Sequence, residues 1–171
     1  MQGSTALFLC SSEYTPSSKR HRLVRISGTT PVGAKTVAIA CNANSKIGHE
    51  ADLAIEPVTG PEVLTGSTRL KAGTAEKMIL NMISTGAMVL NGKAYQNLMV
   101  DAKQSNEKLV VRAQNITMSA TGCSREQAIE ALKEANGSAK VAIVMLLAGI
   151  NADQARQRLA RTKGHVREAV E

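Results

Sequence analysis

Thr36-Val37-Ala38-Ile39-Ala40-Cys41 is an unbroken apolar, β-branched run. A strand buried on both faces of a parallel sheet requires such a run, because neither face can carry charged side chains. The run commits this part of the chain to an α/β fold, and it raises a conflict. Leu23-Val24-Arg25-Ile26 reads as another strand, and only Ser27 to Lys35 separates the two. Parallel neighbours need a crossover of roughly a dozen residues or more, usually helical. Either these strands pair differently, or residues 1–35 are an incomplete or irregular N-terminal remnant of a sheet.

The flanking segments extend this reading. Ala6 to Cys10 suggests a further short strand, and Ser11 to His21 reads as polar loop around Pro16. Ser27-Gly28-Thr29-Thr30-Pro31 is a hydroxyl-rich turn after a strand. It suits either an anion-cradling loop or an ordinary Pro/Gly turn. Leu53-Ala54-Ile55 reads as a shorter strand, stopped by Pro57.

The most distinctive stretch is Gly60 to Lys77. It sets Gly60, Gly66 and Gly73 among Thr65, Ser67, Thr68, Arg69, Lys71 and Thr74, and runs straight into an apolar-periodic segment. Small residues with fixed cations at a helix entrance suit an anion, because free backbone N–H groups and the positive end of the helix dipole face it. Glu56 and Glu62 flank the stretch. Each is a general-base candidate if buried beside a ligand, or a structural cap or an ion-pair partner of Arg69 or Lys71. Thr74 is alternatively a simple helix cap.

Downstream, Ala75, Met78, Ile79, Met82 and Ile83 recur at helical spacing, with Gly92 as a stop. This helix is expected to be amphipathic or fully buried, its methionines in the core. Tyr95 to Val100 reads as an apolar connection, and Asp101 as the cap of a long helix with Leu109, Ala113, Ile116 and Ala120 on one face. From Thr121 the texture becomes that of short helices. Ser124 with Gln127, and Asn151 with Gln154, are capping-box pairs. Ser138 caps a third segment that stops at Gly149, and Val166 to Val170 suggests a last turn. Such a module is small for independent stability and is expected to dock on the preceding helices.

Composition narrows the function classes. A charge of +7 admits nucleic acid, a membrane surface or a phosphorylated ligand. Aromatics at 2% argue against a single-strand stacking platform, and the cations are spread along the chain apart from Lys19 to Arg25. Neither nucleic acid nor membrane is therefore expected as a partner. Cys10, Cys41 and Cys123 lack metal or disulfide spacing, so no metal is expected and a reducing compartment is. Met1 to Cys10 is not a convincing signal peptide. His21, His49 and His165 stand without partner spacing and read as surface residues.

Gly60 to Lys77 resembles, nearly position by position, the signature of the N-acetylmuramic acid 6-phosphate etherases and the related glucokinase regulatory proteins. Asn97-Leu98-Met99-Val100-Asp101, Asn106-Glu107-Lys108-Leu109, Ala120-Thr121-Gly122-Cys123 and Ala142-Ile143-Val144-Met145 resemble the etherase branch. The resemblance covers about residues 35–170. It implies the C-terminal half of a sugar isomerase-type (SIS) parallel sheet with helices over 36–119, then a three-helix module like a ubiquitin-associated (UBA) domain over 120–171. It further implies a cytoplasmic, homodimeric, cofactor-free carbon–oxygen lyase serving amino sugar catabolism. Such an enzyme cleaves the lactyl ether of N-acetylmuramate 6-phosphate, giving N-acetylglucosamine 6-phosphate and D-lactate. A carboxylate removes the C2 proton, lactate is eliminated and water adds back.

The implied substrate-binding residues are Ser27, Thr29, Thr30, Glu62, Ser67, Thr68 and Lys71. The departures matter as much. The family carries a longer N-terminal half with a first phosphate loop and its catalytic acids, where this chain has only residues 1–35. No carboxylate here matches a family catalytic acid, so none is assigned. The alternative is a non-catalytic sugar-phosphate-binding remnant or regulator.

Overall fold

The computed structural model describes residues 35–171 and the backbone strand Thr5–Leu9. The strand expected at Leu23–Ile26, the turn at Ser27 to Pro31, Cys10 and His21 lie outside the described residues. Within them, the chain is a small parallel sheet with helices, followed by a series of packed helices. It divides into two compact units between Ile83 and Ser84.

In the first unit, β1 (Thr5–Leu9), β2 (Lys35–Ile39) and β3 (Leu53–Ile55) form a sheet in that order. Both pairings are parallel, with Leu7 opposite Val37 and Val37 opposite Leu53. The central strand is the predicted apolar run, and Ala38, Ile39 and Ala40 are buried. Its upstream parallel neighbour is β1, so residues 10–34 intervene, ample length for a crossover. The β2–β3 connection carries the short helix α1 (Lys46–Glu50).

One carboxylate ties the starts of β2 and β3 together. Asp52 Oδ2 accepts hydrogen bonds from the Thr36 amide at 2.8 Å and the Thr36 hydroxyl at 2.9 Å. That hydroxyl accepts in turn from the Asp52 amide at 3.0 Å, and Lys35 Nζ lies 3.0 Å from Oδ1. Charge-assisted bonds favour the ionised form. The Thr36 amide, then Lys35 and the Thr36 hydroxyl, hold the Asp52 carboxyl at about 2, below its ordinary 3.8.

Helix α2 (Lys71–Leu90) is where expectation and structure part. Of its residues only Ala72 and Ile79 are buried. Met78, Met82 and Met88 are exposed, as are Val89 and Leu90. The methionine stripe is therefore not a core. Helical periodicity identifies an apolar face but not what covers it.

The second unit has a well-filled core. The expected apolar connection is a hairpin of β4 (Ala94–Tyr95) and β5 (Leu98–Met99), turning at Gln96 with φ 54°. Gly92, φ 65°, lies so close to Gly164 that an added Cβ would stand 2.7 Å from the Gly164 carbonyl carbon. The next helix, α3 (Glu107–Thr121), is capped by Asn106, whose side chain accepts from the Leu109 amide at 3.0 Å. Asp101 is thus not the cap. Its carboxylate lies instead between Lys93 Nζ at 3.8 Å and Lys140 Nζ at 3.6 Å.

The remaining helices are α4 (Arg125–Glu134), α5 (Ala139–Ala148), α6 (Ala152–Arg161) and α7 (Val166–Val170). The capping boxes at Ser124/Gln127 and Asn151/Gln154 are both formed. Ser138 caps α5, which ends at Gly149 in the left-handed region. Helix α5 is apolar nearly all round and is wrapped by α3, α4, α6 and α7. Ala128, Ala142, Ala155 and Ala169 are fully buried, so the helices approach closely around Ile143, Val144 and Val166.

Two tests follow from this packing. Ile143→Ala should cost about 2–5 kcal/mol in urea unfolding, whereas Ile129→Ala, at an exposed site, should stay within about 0.5 kcal/mol. Equal effects would refute the assignment of the core. For Asp52, a depressed carboxyl stabilises the fold fully above its unfolded value, and that stabilisation fades as pH falls from about 4 towards 2. The urea-midpoint difference between wild type and Asp52→Asn should therefore be constant near neutrality and shrink over that window. A difference independent of pH would contradict the clamp.

Candidate functional site

The carboxyl ends of β2 and β3 open onto two loops, residues 40–45 and 56–70, and in open parallel sheets ligands bind outside such ends. Glu56 follows β3 directly. Its carboxylate accepts from the Asn44 amide at 2.8 Å, the Ser45 amide at 2.9 Å and the Ser45 hydroxyl at 2.7 Å. Ser45 in turn caps α1 by accepting from the Gly48 amide. A Cβ at Gly48 would collide with Glu56 Oε1, so glycine there admits the carboxylate. Those bonds, the Ser45 hydroxyl first, lower the Glu56 carboxyl below its usual range. A carboxylate so held is a weak base, and Glu56 acts as the tie of its loop.

Glu62 does the same for the second loop. Oε2 accepts from the Lys71 amide at 3.0 Å and Oε1 from the Ala72 amide at 3.1 Å. The next amides are also taken, Gly73 by the Thr68 carbonyl at 2.9 Å and Thr74 by the Leu70 carbonyl at 3.0 Å. The first-turn donors of α2, expected from sequence to face an incoming anion, are thus satisfied by the chain itself. The Lys71 amide, then the Ala72 amide, lowers the Glu62 carboxyl. Glu62 bonds helix amides rather than pairing with Arg69 or Lys71. Thr74 lies inside the first turn of α2 and is not its cap.

The other expected site residues are placed as follows. The Ser67 amide closes a turn on the Leu64 carbonyl at 3.1 Å, with Gly66 at φ 87°, a conformation natural to glycine alone. Ser67 and Thr68 are half-buried, and Lys71 is exposed. Lys71 lines an open groove of about 440 Å³ with Thr59, Leu70, Thr74, Ala75 and Met78. Ser67 and Thr68 lie outside that lining, and Ser27, Thr29 and Thr30 outside the described residues. Among the described residues no ion pair engages Arg69 or Lys71. His49 is exposed on α1, and His165 stands at the N-cap position of α7 without a side-chain capping bond.

One carboxylate behaves oppositely. Burial raises Glu76 above the usual range. The Cys41 thiol lies 4.0 Å from Glu76 Oε1 and 3.7 Å from the Ala72 carbonyl. Burial, then Glu76, then Glu62 raise the thiol, which keeps it protonated and a poor nucleophile. The sequence signal for Glu76 was its place four residues beyond Ala72, on the inward side of α2. Among the described residues no cluster of three or more His, Cys, Asp or Glu could hold a metal ion.

No protein-family model matches the chain. The chain is 54% identical over 139 residues to the N-acetylmuramic acid 6-phosphate etherase of Photorhabdus laumondii, a match spanning 81% of this chain and 46% of that protein. The protein of that name from Vibrio campbellii is 54% identical over 140 residues, and that from Serratia proteamaculans 56% over 139. Over most of its length the chain is a homologue of the N-acetylmuramic acid 6-phosphate etherase family, and it spans about half the length of the relatives it matches.

Proposed function

We propose that this chain supplies one half of a sugar-phosphate site of the etherase type. The observation that carries this is 54–56% identity, over most of the chain, to proteins named for cleaving N-acetylmuramic acid 6-phosphate. The loop ending in Lys71 would hold the phosphate through side chains, Lys71 by charge and Ser67 and Thr68 by their hydroxyls, because Glu62 already occupies the helix amides. Ser27, Thr29 and Thr30 would form the facing loop. Glu62 would then order the substrate loop rather than act as a base. In this reading residues 36–119 are SIS-like and 120–171 are UBA-like. The whole enzyme is a cytoplasmic homodimer that needs no cofactor and releases D-lactate and N-acetylglucosamine 6-phosphate.

A second reading is a sugar-phosphate binder without lyase activity. It is favoured by the depressed carboxyls of Glu56 and Glu62, which make both weak proton acceptors.

D-Lactate release from N-acetylmuramate 6-phosphate, measured on the purified chain, separates the two. Turnover by the chain alone would sink the binding-only reading. Binding of N-acetylglucosamine 6-phosphate without turnover would support it. Under either reading Lys71→Ala should weaken sugar-phosphate affinity about tenfold, the effect of one charge-assisted contact. Unchanged affinity in both Lys71→Ala and Ser67→Ala would defeat the assignment of this loop.

A further inference from the structure

The second half of α2 carries no charge and is exposed, with Met82, Ile83, Val89 and Leu90 on a broad apolar side and Asn81, Ser84 and Thr85 on the other. From Met78 to Gly92 the sequence carries no charged residue, and residues 81–90 are all exposed. At roughly 100° per residue, Met82 and Val89 share one direction, Ile83 and Leu90 lie a quarter-turn away, and Met88 points away from both pairs. Met78 and Leu70, each more than half exposed, carry the apolar surface back to the groove beside Lys71. The chain supplies its own comparison. Helix α5, apolar nearly all round, is enclosed by four helices. A broad apolar helix face belongs against other elements.

Among the described residues of the first unit, β3 is an edge of the parallel sheet, with Leu53 exposed. Parallel sheets normally have both faces covered, and an open strand edge is a template for further pairing.

We infer that the exposed half of α2 is the docking surface for a polypeptide carrying the part of the family sequence that this chain does not span. Two observations select this occupant. The matched relatives are about twice as long as the region they share with this chain, so each contains that much additional polypeptide beside it. The exposed apolar side chains also point in three directions, and contact with a second copy across the face of Met82, Ile83, Val89 and Leu90 would leave Met88 in water. Enclosure needs additional elements of the same domain. The inference rests on the family relationship and not on etherase activity.

Methionine footprinting tests it, with Met78, Met82 and Met88 as built-in probes. The full chain is treated with dilute peroxide alone, then co-expressed with the unmatched segment of the Serratia proteamaculans relative, and finally fused to that segment. The fusion covers the case in which the segment does not fold separately. The expected result is rapid oxidation of all three methionines in the chain alone and severalfold slower oxidation in the complex or the fusion. Met82→Glu should abolish the protection while leaving the helical circular dichroism of the chain unchanged. Unchanged oxidation in both co-expression and fusion would overturn the inference. So would protection in the chain alone, whether as a monomer covered by its own residues or as a dimer by light scattering. Lactate release is not the readout, so protection without turnover would leave the docking surface standing and count only against the etherase reading.

Discussion

The Glu62 carboxylate, bonded to the amides of Lys71 and Ala72, is the contact on which the candidate site depends. It fixes the start of α2 and folds residues 63–70 back as a loop, and so sets where Ser67, Thr68 and Lys71 stand. It also answers the main electrostatic question posed by a glycine-rich helix entrance. The dipole and the free donors of a helix N-terminus attract an anion, and here the chain provides that anion itself. Any phosphate must then be held mainly by side chains.

The same device recurs through the first unit. Asp52 joins the starts of β2 and β3, and Glu56 ties the loop after β2 to the end of β3. The reason lies in packing. This unit buries few apolar side chains in the described residues, chiefly Ala38, Ile39, Ala40, Ala72 and Ile79. The helical unit is held differently, with α5 enclosed and alanines at its closest approaches. A site built on carboxylate–amide ties is ordered locally, yet it leaves α2 without the apolar cover that its composition demands.

The helical unit was legible in the sequence because its signals are local. A capping box needs residues three apart, and Ser124/Gln127 and Asn151/Gln154 carry it within a single turn. The β2 strand was legible for a similar reason, since its burial is written in consecutive residues. Long-range partners were not legible. Asp101, expected as a helix cap, lies instead between Lys93 and the distant Lys140, while Asn106 serves as the cap. Glu62 lies too far before α2 for any capping-box spacing, so cap and catalyst could not be told apart. The exposure of Met82 and Met88 depends on which elements pack around α2, which no periodicity records. The etherase resemblance was legible from Gly60 to Lys77 and from the motifs downstream, over about residues 35–170, and the comparisons match a similar share of the chain.

The most direct test is amide hydrogen exchange at Lys71 and Ala72 in wild type and in Glu62→Ala. If Glu62 anchors the loop, both amides are protected in wild type, and Glu62→Ala abolishes that protection. Exchange then quickens through the first turn of α2, while Ile143 and Val144 in the enclosed α5 remain unchanged. Equal protection of Lys71 and Ala72 in the two proteins would contradict the account.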